Sequence, residues 1–91
     1  MIGWFIAAAA GLFLVAVTLS TVFDWLNANK TPLTKYGVLM KERLASGNYR
    51  VVAGIFNSHD VRTAQSQWET EQLDETLTQA FGNRNTIRVE L

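Results

Sequence analysis

The feature that most constrains this chain is a long apolar stretch at its start. Residues 2–23 include no ionisable side chain, and their hydroxyl groups come only from Thr18, Ser20 and Thr21. A helix of this length exceeds the roughly 20 residues needed to cross about 30 Å of hydrocarbon. The hydroxyls are tolerated in lipid because each can bond to a carbonyl one turn earlier. The sequence therefore predicts a transmembrane helix over residues 1–26.

Two alternatives to a transmembrane helix are a cleaved signal peptide and a buried helix of a soluble protein. A signal peptide has basic residues before a shorter apolar stretch and small residues after it. Here no basic residue precedes the stretch, and the alanines of residues 7–10 lie near its start. The sequence therefore favours an uncleaved membrane helix over both alternatives.

Residues at both ends of the predicted helix suit a membrane interface. Trp4 and Trp25 lie 21 residues apart, about 32 Å along a helix, so each indole would reach one headgroup region. No basic residue precedes the helix, whereas Lys30 and Lys35 follow it. The positive-inside rule then predicts a single-pass protein with membrane lipid as a partner and its C-terminal domain in the cytoplasm.

One face of the predicted helix carries a stripe of small residues. Gly3, Ala7 and Gly11 recur every four positions, a spacing that lets a second helix approach closely. This pattern predicts packing against another transmembrane helix, either of a second copy or of a larger subunit. The alternative is that alanine and glycine are simply common in membrane helices.

Residues 27–48 are predicted to form a basic amphipathic helix beside the membrane. Thr31 is a good helix cap, and Pro32 suits the first helical position. Apolar residues then recur at spacings of three and four as far as Gly47, and basic side chains occupy the other face. That basic face would either lie on anionic headgroups or be solvated.

The last part of the chain, residues 49–91, is predicted to be a small folded domain. Residues 49–56 are rich in β-branched and aromatic side chains, which predicts a strand followed by a polar turn. Residues 61–68 suit either a second strand, which is favoured, or the first turns of a helix that reaches Phe81. Residues 86–91 alternate as a half-buried strand does. The expected fold class is α+β, with a single N-terminal transmembrane helix followed by an α-β-β-α-β domain whose two- or three-stranded sheet carries a crossover helix.

The sequence offers little material for catalysis or cofactor binding. The chain has no cysteine and only one histidine, His59, which lies in the predicted turn. Thiolate chemistry and a histidine-rich metal site are therefore excluded. Eight basic residues balance eight acidic ones, whereas nucleic-acid binding needs a basic excess. We expect no enzyme activity, cofactor, metal, nucleic acid or small-molecule substrate.

Charge is unevenly distributed along the chain, and this suggests a partner surface. The segment from Lys30 to Arg50 is basic, whereas acidic residues cluster before and within the last predicted helix: Glu69, Glu71, Asp74 and Glu75. Opposed charged patches orient docking and speed encounter. Acids one turn apart, such as Glu71 and Glu75, are most often a solvated face and rarely a divalent-cation site. The hypothesis set against these readings is that the acidic group meets a basic surface of the chain itself or of a partner.

These features together predict a function in protein assembly. The expected protein is a single-pass, membrane-anchored accessory or scaffold subunit that presents a compact interaction domain within a larger or homo-oligomeric membrane complex. One alternative is a secreted or periplasmic binding domain whose first segment is removed. Another is a membrane-active small protein that acts through helix oligomers.

Overall fold

Residues 12–91 fold around a five-stranded β-sheet with two helices. The computed structural model describes residues 12–91, with side chains from residue 16 onward. The elements are β1 (Leu12–Val17), α1 (Leu19–Asn29), β2 (Thr34–Arg43), β3 (Tyr49–Asn57), β4 (Arg62–Leu73), α2 (Glu75–Phe81) and β5 (Thr86–Glu90). The strands lie in the order β1-β4-β3-β2-β5. β1 runs parallel to β4, and every other neighbouring pair is antiparallel.

The predicted transmembrane helix over residues 1–26 is wrong. Its second half is divided between strand β1 and helix α1, which begins after Thr18. The hydroxyl of Thr18 accepts a hydrogen bond of 3.1 Å from the amide of Thr21 and so caps the new helix. A continuous apolar run is also typical of a strand in a parallel pair, and periodicity alone does not separate it from a buried helix. Within residues 12–91, no helix has the length and apolar character to cross a membrane.

Helix α1 is an amphipathic core helix. Val22 and Leu26 lie one turn apart and are fully buried, whereas Asp24 and Asn27 are exposed. This pattern is that of a helix packed by one face against a sheet. The C-terminal end of the segment predicted to span the membrane therefore supplies side chains to the hydrophobic core.

The predicted basic helix within residues 27–48 is also wrong, because Thr34–Arg43 form strand β2. β2 and β3 make a hairpin in which Leu39 pairs with Ala53, and Gly47 adopts a positive φ of 94° in the connection. The apolar residues of this segment occupy both faces of a strand rather than one face of a helix. Within the described residues the sheet therefore has five strands instead of the two or three expected.

Several predicted elements of the last domain are confirmed. The strand over residues 49–56 is β3, and the favoured strand over residues 61–68 is the first part of β4. Phe81 ends helix α2, and residues 86–90 form β5. α2 is shorter than the sequence indicated, because β4 continues to Leu73 and α2 begins only at Glu75.

The hydrophobic core lies between the two helices and one face of the sheet. The fully buried side chains that form it include Val22 and Leu26 of α1, Leu77 and Phe81 of α2, and Leu39, Val51 and Ile55 of the sheet. Each such side chain contributes about 1.5–3 kcal/mol when removed from water. Partly buried apolar residues of β5 pack at the margin of this core, and β5 is the last strand on that side of the sheet formed by residues 12–91.

The other face of the sheet carries a row of charged side chains across three strands. Arg50 of β3 lies opposite Glu42 of β2 and Glu69 of β4 in the strand registers. The Arg50 guanidinium bonds the Glu42 carboxylate at 3.0 Å. Opposite charges directly across from one another favour one register over a slipped one. This row therefore helps to align β2, β3 and β4.

Candidate interaction site

The outer edge of β5 is the candidate functional site. Within the part of the chain that the structure describes, β5 pairs with β2 on one side and has no strand on the other. The amide of Lys41 donates a 2.9 Å hydrogen bond to the carbonyl of Asn85, which fixes the phase of this ladder. Hydrogen-bonded positions alternate along an antiparallel strand. Ile87 and Val89 therefore direct their backbone groups toward β2.

The remaining backbone groups of β5 point away from the sheet. By the same alternation, the amides and carbonyls of Thr86, Arg88 and Glu90 face outward. All three residues are exposed. The register with β2 has no bulge along β5, and the strand contains no proline. Proline and bulges are two of the devices that protect a sheet edge from pairing. Two other such devices are present, since β5 has only 5 residues and carries the exposed charges of Arg88 and Glu90. This edge therefore accepts a strand whose charges complement those two side chains.

The side chains of β5 divide sharply between the two faces of the sheet. Ile87 and Val89 are half-buried on the face that carries the helices. Arg88 and Glu90 lie on the opposite face, with Nε of Arg88 3.1 Å from Oε2 of Glu90. The two side chains are 54% and 75% exposed, so this ion pair contributes little to stability. Both charges remain accessible to a partner strand.

Strand β2 holds the Arg88 side chain over the sheet. The guanidinium lies 3.9 Å from the ring centroid of Tyr36, a cation–π contact. The Tyr36 hydroxyl donates a 2.8 Å hydrogen bond to Oδ1 of Asp60, and this bond raises the pKa of Tyr36 above its ordinary value. The Tyr36 ring also stacks on Phe56 at 5.2 Å between centroids. These contacts restrict the position from which Arg88 presents its charge.

A groove lies beyond the end of β5. It has a volume of about 440 Å³ and is lined by Lys30, Thr31, Pro32, Thr34 and Leu91. The adjacent Leu33 is 78% exposed, a high value for so large an apolar side chain. The lining of the groove includes both apolar and polar side chains and lies next to the end of the exposed β5 edge.

The structure describes some of the residues predicted to contact the membrane or another helix, and others lie outside the described part of the chain. Gly3, Trp4, Ala7 and Gly11 lie outside the described residues. Trp25 is half-buried and packs edge-on against Trp68, with 6.2 Å between the ring centroids. Lys30 caps the C-terminal end of α1, and Lys35 is exposed in β2. The interfacial roles of these residues stay predictions.

The predicted acidic partner surface is spread over the end of β4 and the start of α2. Glu69 accepts a 3.1 Å hydrogen bond from Asn48, and Glu71 is exposed. Asp74 caps α2 through the hydroxyl and amide of Thr76, and these bonds lower the pKa of Asp74. Glu75 accepts a 3.3 Å bond from Gln79. Asp74 thus has a structural role in the chain, whereas binding by this group stays a prediction.

The described residues include no group that suggests catalysis. His59 is exposed in the turn before β4, and its amide donates to Oδ1 of Asn57 at 2.9 Å. No set of three histidine, cysteine or acidic side chains in residues 12–91 is arranged to hold a metal ion. The accessible backbone of β5 is therefore the feature with the clearest binding chemistry.

Comparison with known proteins adds no assignment. No family model, curated protein or solved structure matches the chain.

Sequence reasoning identified β5 as a strand but missed it as a site. The alternation of residues 86–91 indicated one buried and one exposed face. Which strand lies at the edge depends on the order of all five strands, and no local pattern specifies that order. The only local signals were the short length of the segment and its paired opposite charges.

Proposed function

We propose that this chain is a small accessory subunit that binds an extended segment of a partner along the outer edge of β5. The observation that carries the proposal is the outward row of backbone groups on Thr86, Arg88 and Glu90. An extended segment placed there would satisfy these donors and acceptors by extending the sheet, a recurrent mode of protein recognition. Main-chain hydrogen bonds would supply most of the binding, and the side chains would determine which partner sequence is preferred.

The neighbouring surface favours a protein partner over a small molecule. Ile87 and Val89 are only half-buried on one face of the edge, while Arg88 and Glu90 offer both signs of charge on the other. A partner strand with alternating apolar and charged residues would match both faces at once. The exposed Leu33 near the groove would extend the contact.

Site-specific photo-crosslinking tests the proposal. A photoreactive amino acid replaces Thr86 on the edge or, as the matched control, Thr78 on α2; both threonines are exposed. In cells that naturally produce the protein, we expect a crosslinked adduct of defined mass from position 86 and none from position 78. Equal labelling at both positions, or no adduct from position 86, would refute edge binding.

A proline substitution supplies the second arm of this experiment. Arg88→Pro removes an outward amide but no hydrogen bond to β2, so β5 can keep its place in the sheet. The adduct from position 86 should disappear in this variant while the circular dichroism spectrum is retained. An adduct that survives the substitution would contradict main-chain pairing at β5.

The membrane association expected from the sequence is a separate prediction. Fractionation of the producing cells into membrane and soluble parts checks it independently of the edge.

A further inference from the structure

We propose that the segment bound at this edge is β5 of a second copy of the chain, paired antiparallel about a two-fold axis at Val89. This inference rests on the proposed function, because it names the partner of the same edge. It would join two five-stranded sheets into one continuous sheet. A symmetric pair of this kind requires the strand to be complementary to itself.

Backbone geometry limits the registers that are possible. Only outward groups can bond between the copies, so both residues of any hydrogen-bonded pair must come from the set Thr86, Arg88 and Glu90. With the axis at Val89, Arg88 forms a hydrogen-bonded pair with Glu90 of the second copy, and the reverse pair forms by symmetry. A shift of the partner by a single residue would set outward groups against inward ones and lose these bonds.

The side chains complement each other in this register on both faces. On the charged face, Arg88 and Glu90 each lie opposite a residue of opposite sign. On the helix face, Val89 meets its own copy, and Ile87 meets Leu91 of the second copy. All three apolar residues are half-buried in the single chain and pack at the margin of its core. The second copy would cover their exposed parts and extend both cores.

Charge distinguishes this register from its nearest competitors. Placing the axis at Arg88 adds one hydrogen-bonded pair but sets two guanidinium groups directly opposite each other. Placing the axis at Glu90 sets two carboxylates opposite each other. Like charges directly across a strand pair are destabilising, whereas opposite charges are favourable. Among these three registers, the alternation of one arginine and one glutamate therefore favours the axis at Val89.

Charge-swap variants test the register by sedimentation equilibrium. We expect a reversible dimer for the full chain. Arg88→Glu and Glu90→Arg should each weaken dimerisation about tenfold, because each turns two symmetric attractive pairs into repulsive ones. The double variant should regain most of the lost affinity. Asp24→Arg, which changes an exposed acid on α1, is the control and should leave the dimer unchanged. A double variant no better than the two single ones would overturn this register.

Single cysteines provide an independent test, since the natural chain has none. Val89→Cys places two thiols opposite each other at a position where the Cα atoms of a strand pair approach to about 4.5 Å. Mild oxidation should link this variant into a covalent dimer. Ile87→Cys is the matched control on the same face, and it should remain unlinked because its opposite residue is Leu91. Equal linkage of the two variants would contradict an axis at Val89.

The outcomes separate this inference from the proposed function. A monomer at all concentrations, with position 86 crosslinked to another protein, overturns the second copy and leaves edge binding in place. A monomer with no adduct at position 86 overturns both. A dimer that persists in Arg88→Pro overturns pairing through β5, even though it is made of two copies.

Discussion

Replacing Leu26 with alanine tests whether α1 is a core helix. Leu26 is fully buried between α1 and the sheet, and one of its methyl groups lies near the backbone of Gly37. Under the transmembrane prediction, Leu26 would instead lie at the end of a membrane helix. The two arrangements give opposite expectations for the stability of the chain in buffer without detergent.

The expected loss is large relative to the stability of so small a domain. A buried leucine replaced by alanine costs about 2–5 kcal/mol, from lost burial and from the cavity left behind. A domain of roughly 80 residues has a free energy of unfolding of about 4–12 kcal/mol. Leu26→Ala should therefore remove between about a sixth and all of the total. The corresponding fall in melting temperature is roughly 8–40 °C.

Urea unfolding followed by tryptophan fluorescence measures this loss, because Trp25 of α1 packs against Trp68 of β4. Leu33→Ala is the matched control, since it makes the same chemical change at a side chain that is 78% exposed. All proteins are compared at one concentration, so that association contributes equally. If Leu26→Ala unfolds completely, Leu26→Val gives a smaller, measurable step. A loss for Leu26→Ala no greater than that for Leu33→Ala would refute the core assignment of α1.

Three further predictions concern backbone packing and ionisation. Gly37→Ala should lower the urea midpoint, because its new Cβ would lie 3.0 Å from a methyl group of Val89; a double-mutant cycle with Val89→Ala should show positive coupling, and simple additivity would contradict the clash. The hydrogen bonds from the Thr76 hydroxyl and amide lower the pKa of Asp74 below its ordinary value, so the folded state favours the charged carboxylate. The stability advantage of the natural chain over Asp74→Asn should be present above about pH 4 and vanish as the pH falls through that lowered pKa. A difference in melting temperature that stays constant as the pH is lowered would contradict this prediction. Asp60→Asn should lower the raised pKa of Tyr36 by weakening the hydrogen bond between them, measured from phenolate absorbance, and an unchanged titration would mean that Asp60 does not cause the shift.

The second half of the chain was largely predictable because its signals are local. β3 has the β-branched and aromatic composition of a strand, and polar residues mark the turn that follows it. β5 shows the two-residue alternation of a half-buried strand. The end of α2 at Phe81 was indicated by the following Gly82, which adopts a positive φ of 61°. In each case, neighbouring residues were enough to specify the conformation.

The first half was not predictable because its apolar patterns are compatible with either lipid or a protein core, and with either a helix or a strand. An apolar run suits a membrane helix in isolation, but a strand is formed when β4 offers a parallel partner. Likewise, the spacing of apolar residues within residues 34–43 indicated a helix. The segment forms strand β2 because β3 and β5 pair with it on both sides. Hydrogen-bonding partners distant in sequence therefore overrode the local preference.

The sequence by itself determined the composition of the edge strand, with apolar residues alternating with one arginine and one glutamate. It also determined what is unavailable for chemistry, since the chain has no cysteine and one histidine. Only the tertiary structure decided that β5 is an edge and that Arg88 and Glu90 direct their backbone groups outward. The physical reason is that strand order and the alternation of hydrogen-bonded positions arise from pairing between segments distant in sequence. Pairing with β2 determines which backbone groups of β5 face the sheet and which face outward.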